Sequence, residues 1–296
     1  MTKRSLLGTL FLSSRPLSWI NTAFPFAVAY FGSTRELTVT LIIGTLFFLI
    51  PYNLAMYGIN DVFDYESDMR NPRKGGVEGA VLDRSMHAPT LWAVVITNVP
   101  FLIYLVAIGS PLSWLVLAIS MFAVVAYSAK GLRFKEIPFL DSVTSSTHFV
   151  SPAVYALVLA GAAFTPALWL VLAAFFLWGM ASHAFGAVQD ISADRDADLK
   201  SIATVIGAAN TSRFALACYA LAGILVLSGA AFAEPRWVFW VAATAAVPYL
   251  LMVWPYLNLS DDRCEEANRG WKKFLGMNFF AGFIVTLMLI FSWLNV

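Results

Sequence analysis

Long apolar runs dominate this 296-residue chain and constrain its fold more than any other feature. A membrane-crossing helix needs about 20 predominantly apolar residues. Runs close to that length lie at roughly 16–33, 37–60, 89–109, 111–128, 139–161, 166–188, 212–232, 237–257 and 274–294. Charged residues make up only 12% of the chain, compared with about 25% in a typical soluble domain. The sequence therefore predicts an all-α integral membrane protein with nine transmembrane helices.

Basic residues separate the two sides of the predicted bundle. Of the 19 Lys and Arg residues, 16 lie in the N-terminal arm or after the second, fourth, sixth and eighth runs. Arg213 lies at the start of the seventh run, and only Arg35 and Arg236 lie in the opposite loops. Because basic loops stay cytoplasmic, we expect a multi-pass plasma-membrane protein with a cytoplasmic N-terminus. The matching long loops at 61–88 and 189–211 indicate one domain, 1–296. Its pseudo-repeat halves would be roughly 16–128 and 139–257, followed by a ninth helix at 274–294.

Two acidic clusters interrupt the apolar pattern, at the ends of the second and sixth runs. The first reads Asn-Asp-Val-Phe-Asp-Tyr-Glu-Ser-Asp over 60–68, and the second reads Asp-Ile-Ser-Ala-Asp-Arg-Asp-Ala-Asp over 190–198. Carboxylates are costly close to lipid, so their presence at membrane helix ends indicates function. A solvated helix end would explain one such cluster. Two clusters at matching positions favour a shared cation site.

Helical geometry selects particular carboxylates in each cluster. At about 100° per residue, Asp61, Asp64 and Asp68 share one helix face, and Asp190, Asp194 and Asp198 share another. Oxygen ligands without a neighbouring His or Cys indicate Mg²⁺ rather than a transition metal. The expected metal ligands are Asn60, Asp61, Asp64, Asp68, Asp190, Asp194 and Asp198.

Six aspartates carry more charge than two Mg²⁺ ions neutralise, and a diphosphate would add to the excess. Arg and Lys bind phosphate oxygens well, so the basic loops beside the clusters would balance it. A plain positive-inside distribution is the alternative for each of these cations. The expected phosphate contacts are Arg70, Lys74, Lys130, Arg133 and Lys200.

Four further polar residues lie within the apolar runs. Asn53 and Tyr57 extend the face of the first cluster toward the membrane, and His183 precedes Asp190 by two turns. We expect these three and His148 to line a pocket for a lipophilic substrate. Their alternative role is that of polar residues satisfied in helix contacts.

The motifs resemble those of the UbiA superfamily of membrane-embedded prenyltransferases. Asn60-Asp61-x-x-Asp64-x-x-x-Asp68 resembles the first metal motif of that family, and Asp190-x-x-x-Asp194-Arg195 resembles the second. The Tyr-Ser-x-x-x-Leu-Arg-x-Lys segment at 127–135 and the Arg-Pro pair at 15–16 also match.

This resemblance implies a nine-helix bundle with a central cavity capped by cytoplasmic loops. It also implies that the two motifs bind Mg²⁺ and a prenyl diphosphate, and that the prenyl group passes to a lipophilic acceptor. Tyr127 would contact the diphosphate. The implied catalytic residues are Asp61, Asp64, Asp190 and Asp194.

Within the superfamily, the stretches 60–76 and 190–204 resemble the lycopene elongases of C50 carotenoid synthesis. That resemblance implies dimethylallyl diphosphate and lycopene as substrates. An aromatic-acceptor prenyltransferase of quinone, haem or chlorophyll synthesis shares the metal site and stays open as an alternative. A cation transporter is less favoured, because it would place its carboxylates near the membrane midplane.

Overall fold

The computed structural model describes residues 5–65, 69 and 82–294, and every regular element within them is a helix. Short 3₁₀ turns join several of the α-helices. The α-helices are α1 (Leu6–Ser13), α2 (Ile20–Thr34), α3 (Val39–Leu49), α4 (Pro51–Phe63), α5 (His87–Ala107), α6 (Pro111–Ser128), α7 (Leu140–Leu159), α8 (Pro166–Val188), α9 (Ile191–Asp196), α10 (Ile202–Ser228), α11 (Arg236–Ala243), α12 (Val247–Val253) and α13 (Asn268–Leu294).

Seven helical segments in the described ranges are long and apolar enough to cross a membrane. They are Val39–Phe63, Arg84–Ala107, Pro111–Ser128, Pro166–Val188, Ile202–Ala231, Arg236–Tyr256 and Asp261–Leu294. The two other predicted spans fall on α2, which has only 15 residues, and on α7, which carries many polar side chains. The all-helical fold class is therefore confirmed for the described residues, while the count of nine spans stays a prediction.

The second predicted span, 37–60, contains a break between α3 and α4. Pro51 lacks a backbone N–H, which interrupts the ladder of helical hydrogen bonds. The buried side chain of Asn53 compensates, because its Nδ2 donates to the carbonyls of Phe48 (2.8 Å) and Leu49 (3.1 Å) and to the Thr22 hydroxyl (2.7 Å). Backbone carbonyls at a helix break need such partners in a membrane. The described contacts of Asn53 are therefore structural, and its role in an acceptor pocket stays a prediction.

The helix that contains the seventh apolar run begins before residue 212, the predicted start of that span. Ser201 and Thr204 form a capping box, and α10 starts at Ile202. The helix is kinked at Gly207, whose φ of 79° is in the left-handed region that glycine adopts without strain. The first three turns of α10 contain polar residues. The predicted span excluded them because it was defined by apolar content.

The chain forms two compact units. The described residues within 1–134 and 147–162 form the first unit, and those within 135–146 and 163–296 form the second. The division into these units does not show whether the chain is one domain built from pseudo-repeat halves, and that organisation stays a prediction.

Aromatic packing holds the core of the first unit. Phe26, Phe47, Phe48, Tyr52 and Tyr155 are completely buried, and most neighbouring ring centroids lie 4.8–6.2 Å apart. Such edge and offset contacts between rings are favourable beyond the area that they bury. This core supports α4, the helix that carries the first acidic cluster.

The second unit has an aromatic core of its own. Tyr219 stacks on Tyr249 with centroids 4.9 Å apart, and Trp178 stacks on Phe274 at 5.8 Å. The Tyr219 hydroxyl is 2.9 Å from Ser182 Oγ on α8. Because α8 and α10 pack along much of their length, the end of α8 and the start of α10 lie within this unit. The second acidic cluster connects these two helices.

Candidate active site

The first acidic cluster begins in the last turn of α4. Asp61 lies within the helix, and Asp64 is the C-cap residue one turn later. Their exposed fractions are only 1% and 6%. Asp68, Arg70 and Lys74, which were also predicted to belong to the site, lie outside the described residues. Two buried carboxylates one turn apart need compensating charge or hydrogen bonds.

Arg15 supplies one of the compensating charges. Its guanidinium Nη2 lies 3.2 Å from Asp61 Oδ1, and its Cζ lies 4.3 Å from the centroid of the Tyr57 ring. A guanidinium can pair with a carboxylate and stack on an aromatic face at the same time. The structure thus brings Tyr57 next to Asp61, as their shared helix face predicted.

Arg15 is not among the site residues predicted from the sequence. The Arg15-Pro16 pair contributes only to the family resemblance. The available signal was a basic residue at the start of the first apolar run. The left-handed backbone at Arg15, with φ of 49°, directs the chain here and has no signature in the sequence.

Asp64 has one neighbour within α4 and another beyond the end of α6. Asn60 Nδ2 donates to Asp64 Oδ2 at 2.7 Å and to Ser128 Oγ at 2.9 Å. Arg133 Nη2 lies 3.7 Å from Asp64 Oδ1, and Arg133 Nη1 donates to the Phe63 carbonyl at 3.4 Å. The structure therefore brings together Asn60, Asp64 and Arg133, three residues that the sequence analysis assigned to one site.

Tyr127 and His148 also meet in the first unit. Their rings are 5.3 Å apart and nearly perpendicular, at 76°. His148 is buried, and its carbonyl accepts a hydrogen bond from the Tyr52 hydroxyl at 3.4 Å. Lys130, in contrast, is exposed. The predicted roles of Tyr127 at a diphosphate and of His148 in an acceptor pocket stay predictions.

The second acidic cluster contains a helix end, which the prediction of one shared helix face did not include. Asp190 precedes α9, and the backbone N–H of Asp194 donates to the Asp190 carbonyl at 2.8 Å. After Asp196 the chain turns, with Leu199 N donating to the Asp194 carbonyl and Asp198 N donating to the Arg195 carbonyl.

That pair of bonds is a Schellman motif, and Asp198 is its left-handed residue with φ of 55°. The helical face predicted for this cluster therefore includes Asp190 and Asp194 but does not continue to Asp198. Aspartate tolerates the left-handed region better than most residues. Asp198 ends α9, and its role as a metal ligand stays a prediction.

Arg195 has a structural partner beside this cluster. Its Nη1 lies 2.8 Å from Asp261 Oδ2, and its Nη2 donates to the Thr204 carbonyl at 2.8 Å. Asp261 Oδ1 in turn accepts the backbone N–H of Ala208, just after the kink at Gly207, at 2.7 Å. This basic residue of the second motif thus ties α9 to α10. Lys200 is exposed.

His183 lies next to Asp141, a residue that the sequence analysis did not select. The His183 Nε2 to Asp141 Oδ2 distance is 3.7 Å, and Asp141 is completely buried. The available signal was an acidic residue only two positions inside the fifth apolar run. A buried carboxylate of this kind is normally paired and hydrogen-bonded.

The donor chemistry of the first cluster suits Mg²⁺. No group of three or more His, Cys, Asp or Glu side chains within residues 5–65, 69 and 82–294 is arranged to hold a metal ion. Mg²⁺ commonly uses one or two protein carboxylates together with water and substrate phosphates, rather than a cage of protein ligands. Asp61 and Asp64 provide such carboxylates. The residues present therefore fit a Mg²⁺ ion that binds with its diphosphate.

Comparison with known families decides the class of this protein. The sequence profile of the UbiA prenyltransferase family matches residues 21–293, which is nearly the whole chain. The chain belongs to this family. UbiA proteins are integral membrane enzymes that use prenyl diphosphates and lipophilic acceptors, so the predicted enzyme class is confirmed. A cation transporter is no longer a competing explanation for the carboxylates.

Two relatives within the UbiA family are highly similar along most of this chain. The C(50) beta-cyclic carotenoids biosynthesis protein LbtBC of Dietzia sp. (strain CQ4) is 59% identical over 287 residues, or 97% of this chain. This chain covers 65% of LbtBC, slightly less than two thirds of its length. A lycopene elongase/hydratase of Corynebacterium glutamicum is 53% identical over 281 residues, which cover 95% of this chain and 96% of that protein.

A solved structure shares the UbiA fold. The structure of a UbiA homolog from Archaeoglobus fulgidus bound to DMAPP and Mg²⁺ superimposes with a TM-score of 0.67. The match covers 94% of this chain and 99% of that one, at 19% sequence identity. At this identity the match shows a common fold. The UbiA-type, all-helical fold expected from the motifs is thereby confirmed.

Proposed function

We propose that this UbiA protein is a lycopene elongase that transfers a C5 prenyl group from dimethylallyl diphosphate to the ends of lycopene. The observation that carries the proposal is the 53% identity to a lycopene elongase/hydratase over almost the full length of both chains. The 59% identity to a C50 carotenoid biosynthesis protein supports the same acceptor class. The motif stretches 60–76 and 190–204 are consistent with this assignment.

The proposal includes a Mg²⁺-dependent diphosphate site on the cytoplasmic side of the plasma membrane. Support for the ligands comes from the Archaeoglobus homolog, which was solved with DMAPP and Mg²⁺. Support from this chain comes from Asp61 and Asp64, whose buried carboxylates fit such an ion. Mg²⁺, when bound, neutralises charge on the leaving diphosphate. The proposed metal ligands are Asn60, Asp61, Asp64, Asp68, Asp190, Asp194 and Asp198.

The surrounding side chains orient the first cluster. Asn60 holds Asp64 through a 2.7 Å hydrogen bond, and Arg15 holds Asp61 at 3.2 Å. Arg133, 3.7 Å from Asp64, can reach phosphate oxygens while it stays close to the carboxylate. Fixed donors of this kind stabilise charge without reorganising during the reaction. The proposed diphosphate contacts are Arg70, Lys74, Tyr127, Lys130, Arg133 and Lys200.

The proposed reaction breaks the allylic C–O bond, and the bonding electron pair leaves with the diphosphate. A terminal double bond of the acceptor supplies the electrons for the new C–C bond. The resulting tertiary cation then loses a proton or adds water, which itself loses a proton. The acceptor pocket is proposed to include Asn53, Tyr57, His148 and His183. Exclusion of bulk water from this pocket would protect the allylic cation that cleavage of the C–O bond forms.

An acceptor screen tests the proposed substrate class. Purified protein with Mg²⁺, dimethylallyl diphosphate and lycopene should yield C45 and C50 products, identified by mass. Aromatic quinone precursors should give no prenylated product. Prenylation of only the aromatic acceptors would overturn the carotenoid assignment and leave the prenyltransferase class intact.

Substitution of one aspartate from each cluster tests the metal site. Asp61→Asn and Asp190→Asn keep the size of the side chain and remove a charged ligand, so we expect kcat/KM to fall about a hundredfold or more. Asp262→Asn is the matched control, because Asp262 is an exposed carboxylate outside both motifs. Full activity of both motif variants in excess chelator would contradict the proposal.

A further inference from the structure

Asp141, at the start of α7, makes an unusually complete set of contacts for a residue outside both acidic clusters. Its Oδ2 accepts the backbone N–H of Ile202 at 2.6 Å. Its Oδ1 accepts the backbone N–H of Ser142 at 2.6 Å and the Ser142 hydroxyl at 3.1 Å. His183 Nε2 lies 3.7 Å from Oδ2. The carboxylate is fully buried, so these donors replace the water that it has lost.

The contact with Ile202 completes the N-terminus of α10. Four backbone N–H groups at the start of a helix have no partner within the helix. In the capping box, the Ser201 side chain accepts from Thr204, and the Thr204 side chain accepts from the Ser201 backbone. The N–H of Ile202, the first helical residue, is left for Asp141. A carboxylate at this end also interacts favourably with the helix dipole.

Asp141 Oδ2 therefore accepts a hydrogen bond from α10 and lies 3.7 Å from His183 of α8, and these two helices flank the second acidic cluster. His183 belongs to α8, which enters the 189–201 connection, and Ile202 begins α10, which leaves it. That connection carries Asp190, Asp194 and the exposed Lys200. The carboxylate of Asp141 lies between the two ends of this connection.

We infer that Asp141 is a positioning residue for the second acidic cluster. It fixes the ends of the 189–201 connection so that the carboxylates of Asp190 and Asp194 are presented to the metal–diphosphate ligand. The inference rests on the proposed function, because it assumes that this cluster binds metal. Residues that do not bind the metal but orient its ligands commonly contribute about ten- to hundredfold to metal affinity.

The test compares full-length wild type with Asp141→Asn, reconstituted in lipid nanodiscs. An amide has one acceptor oxygen, so it cannot accept both backbone N–H groups that the carboxylate accepts. Mn²⁺ binding, followed by electron paramagnetic resonance in the presence of dimethylallyl diphosphate, should weaken about tenfold or more. The KM for that diphosphate should rise in parallel.

Two other variants keep the inference testable. Ser142→Ala removes one hydroxyl donor and leaves the Ile202 and His183 contacts, so its Mn²⁺ affinity should stay within about twofold of wild type. His183→Gln decides the case if Asp141→Asn does not fold, because it removes only the imidazole. We expect it to weaken Mn²⁺ binding, by less than Asp141→Asn does.

Wild-type Mn²⁺ affinity in Asp141→Asn, or in His183→Gln where the first variant does not fold, would overturn the inference. A fall in kcat with unchanged Mn²⁺ and diphosphate binding would overturn it too, in favour of direct participation in the reaction. Failure of the wild-type protein to bind Mn²⁺ with dimethylallyl diphosphate is a different result. It would contradict the proposed metal site itself.

Discussion

Arg15 shows how one residue can combine charge, shape and backbone geometry. Its guanidinium pairs with the buried carboxylate of Asp61 and lies over the ring of Tyr57. Its backbone has φ of 49°, a region that costs a non-glycine residue about 1–2 kcal/mol. Because Arg15 makes both contacts in spite of this cost, we expect it to hold Asp61 and Tyr57 in place in the first cluster.

Replacement of Arg15 by alanine should therefore lower both stability and activity. Loss of the charged hydrogen bond and the cation–π contact is expected to cost about 2 kcal/mol in unfolding free energy. Arg15→Lys should recover only part of the activity, because an ammonium group lacks the planar surface that stacks on Tyr57. Thermal unfolding in detergent and kcat/KM for the prenyl diphosphate measure the two effects.

Arg35→Ala is the matched control for this substitution. Arg35, at the end of α2, also has a left-handed backbone, with φ of 59°, and its Nε donates to the carbonyl of Gly32 at 3.0 Å. Both changes place alanine in the left-handed region of the backbone. Equal losses of activity in the two alanine variants would show that the contact with Asp61 has no functional weight.

Among the elements, the pair α2 and α3 depends on one close approach. A Cβ built on Gly44 would lie 2.1 Å from Cζ of Phe26, and Phe26 is fully buried among other aromatic rings. The ring cannot move without disturbing Phe48 and Tyr155, whose centroids lie 5.2 and 6.2 Å away. Small residues allow helices in membranes to pack this closely.

Gly44→Ala is expected to destabilise the protein by about 1–3 kcal/mol, the usual cost of overpacking a core.

Gly276→Ala, on α13, is expected to have the opposite effect on stability. Its added Cβ would meet no atom of the described residues within 4 Å, and alanine is favoured over glycine inside a helix by about 0.5–1 kcal/mol. Melting temperatures in the same detergent compare the two. A lower melting temperature for Gly276→Ala than for Gly44→Ala would contradict this packing argument.

Element boundaries also mark where sequence reasoning was limited. The spacing of Asp61 and Asp64 predicted a common helix face, because α4 is regular up to Phe63. The same reasoning placed Asp198 with Asp190 and Asp194, but a Schellman turn ends α9 before that residue. Periodicity carries no information about such a turn when its left-handed position holds aspartate rather than glycine. Long-range partners such as Arg15 and Asp141 were missed because only the folded chain brings them close.

For the whole molecule, the number of membrane spans determines on which side each acidic cluster lies. With nine spans and a cytoplasmic N-terminus, both clusters follow a helix that returns to the cytoplasm. If α2 and α7 did not cross, the segment Val39–Phe63 would be the first span, and the first cluster would lie outside the cell. The second cluster would still lie inside. The proposed function therefore requires that both of these helices cross.

Helices α2 and α7 differ from a typical membrane span in different ways. The 15 residues of α2 give a helix about 22 Å long, shorter than the roughly 30 Å hydrocarbon core. A 3₁₀ turn at Pro16–Ser18 precedes it and adds length. Helix α7 has 20 residues but contains Asp141 and His148. Both of those side chains are buried within the protein, away from lipid, which makes a crossing compatible with their polarity.

Reporter fusions test this requirement directly. A reporter active only outside the cytoplasm, fused after Glu36 or after Ala163, should be active, because α2 and α7 have then each crossed. The same reporter fused after Ser128 or after Lys200 should be silent, while a reporter that is active only in the cytoplasm should give the reverse pattern. A cytoplasmic signal after Glu36 would place the first acidic cluster outside, where a cytoplasmic prenyl diphosphate could not reach it.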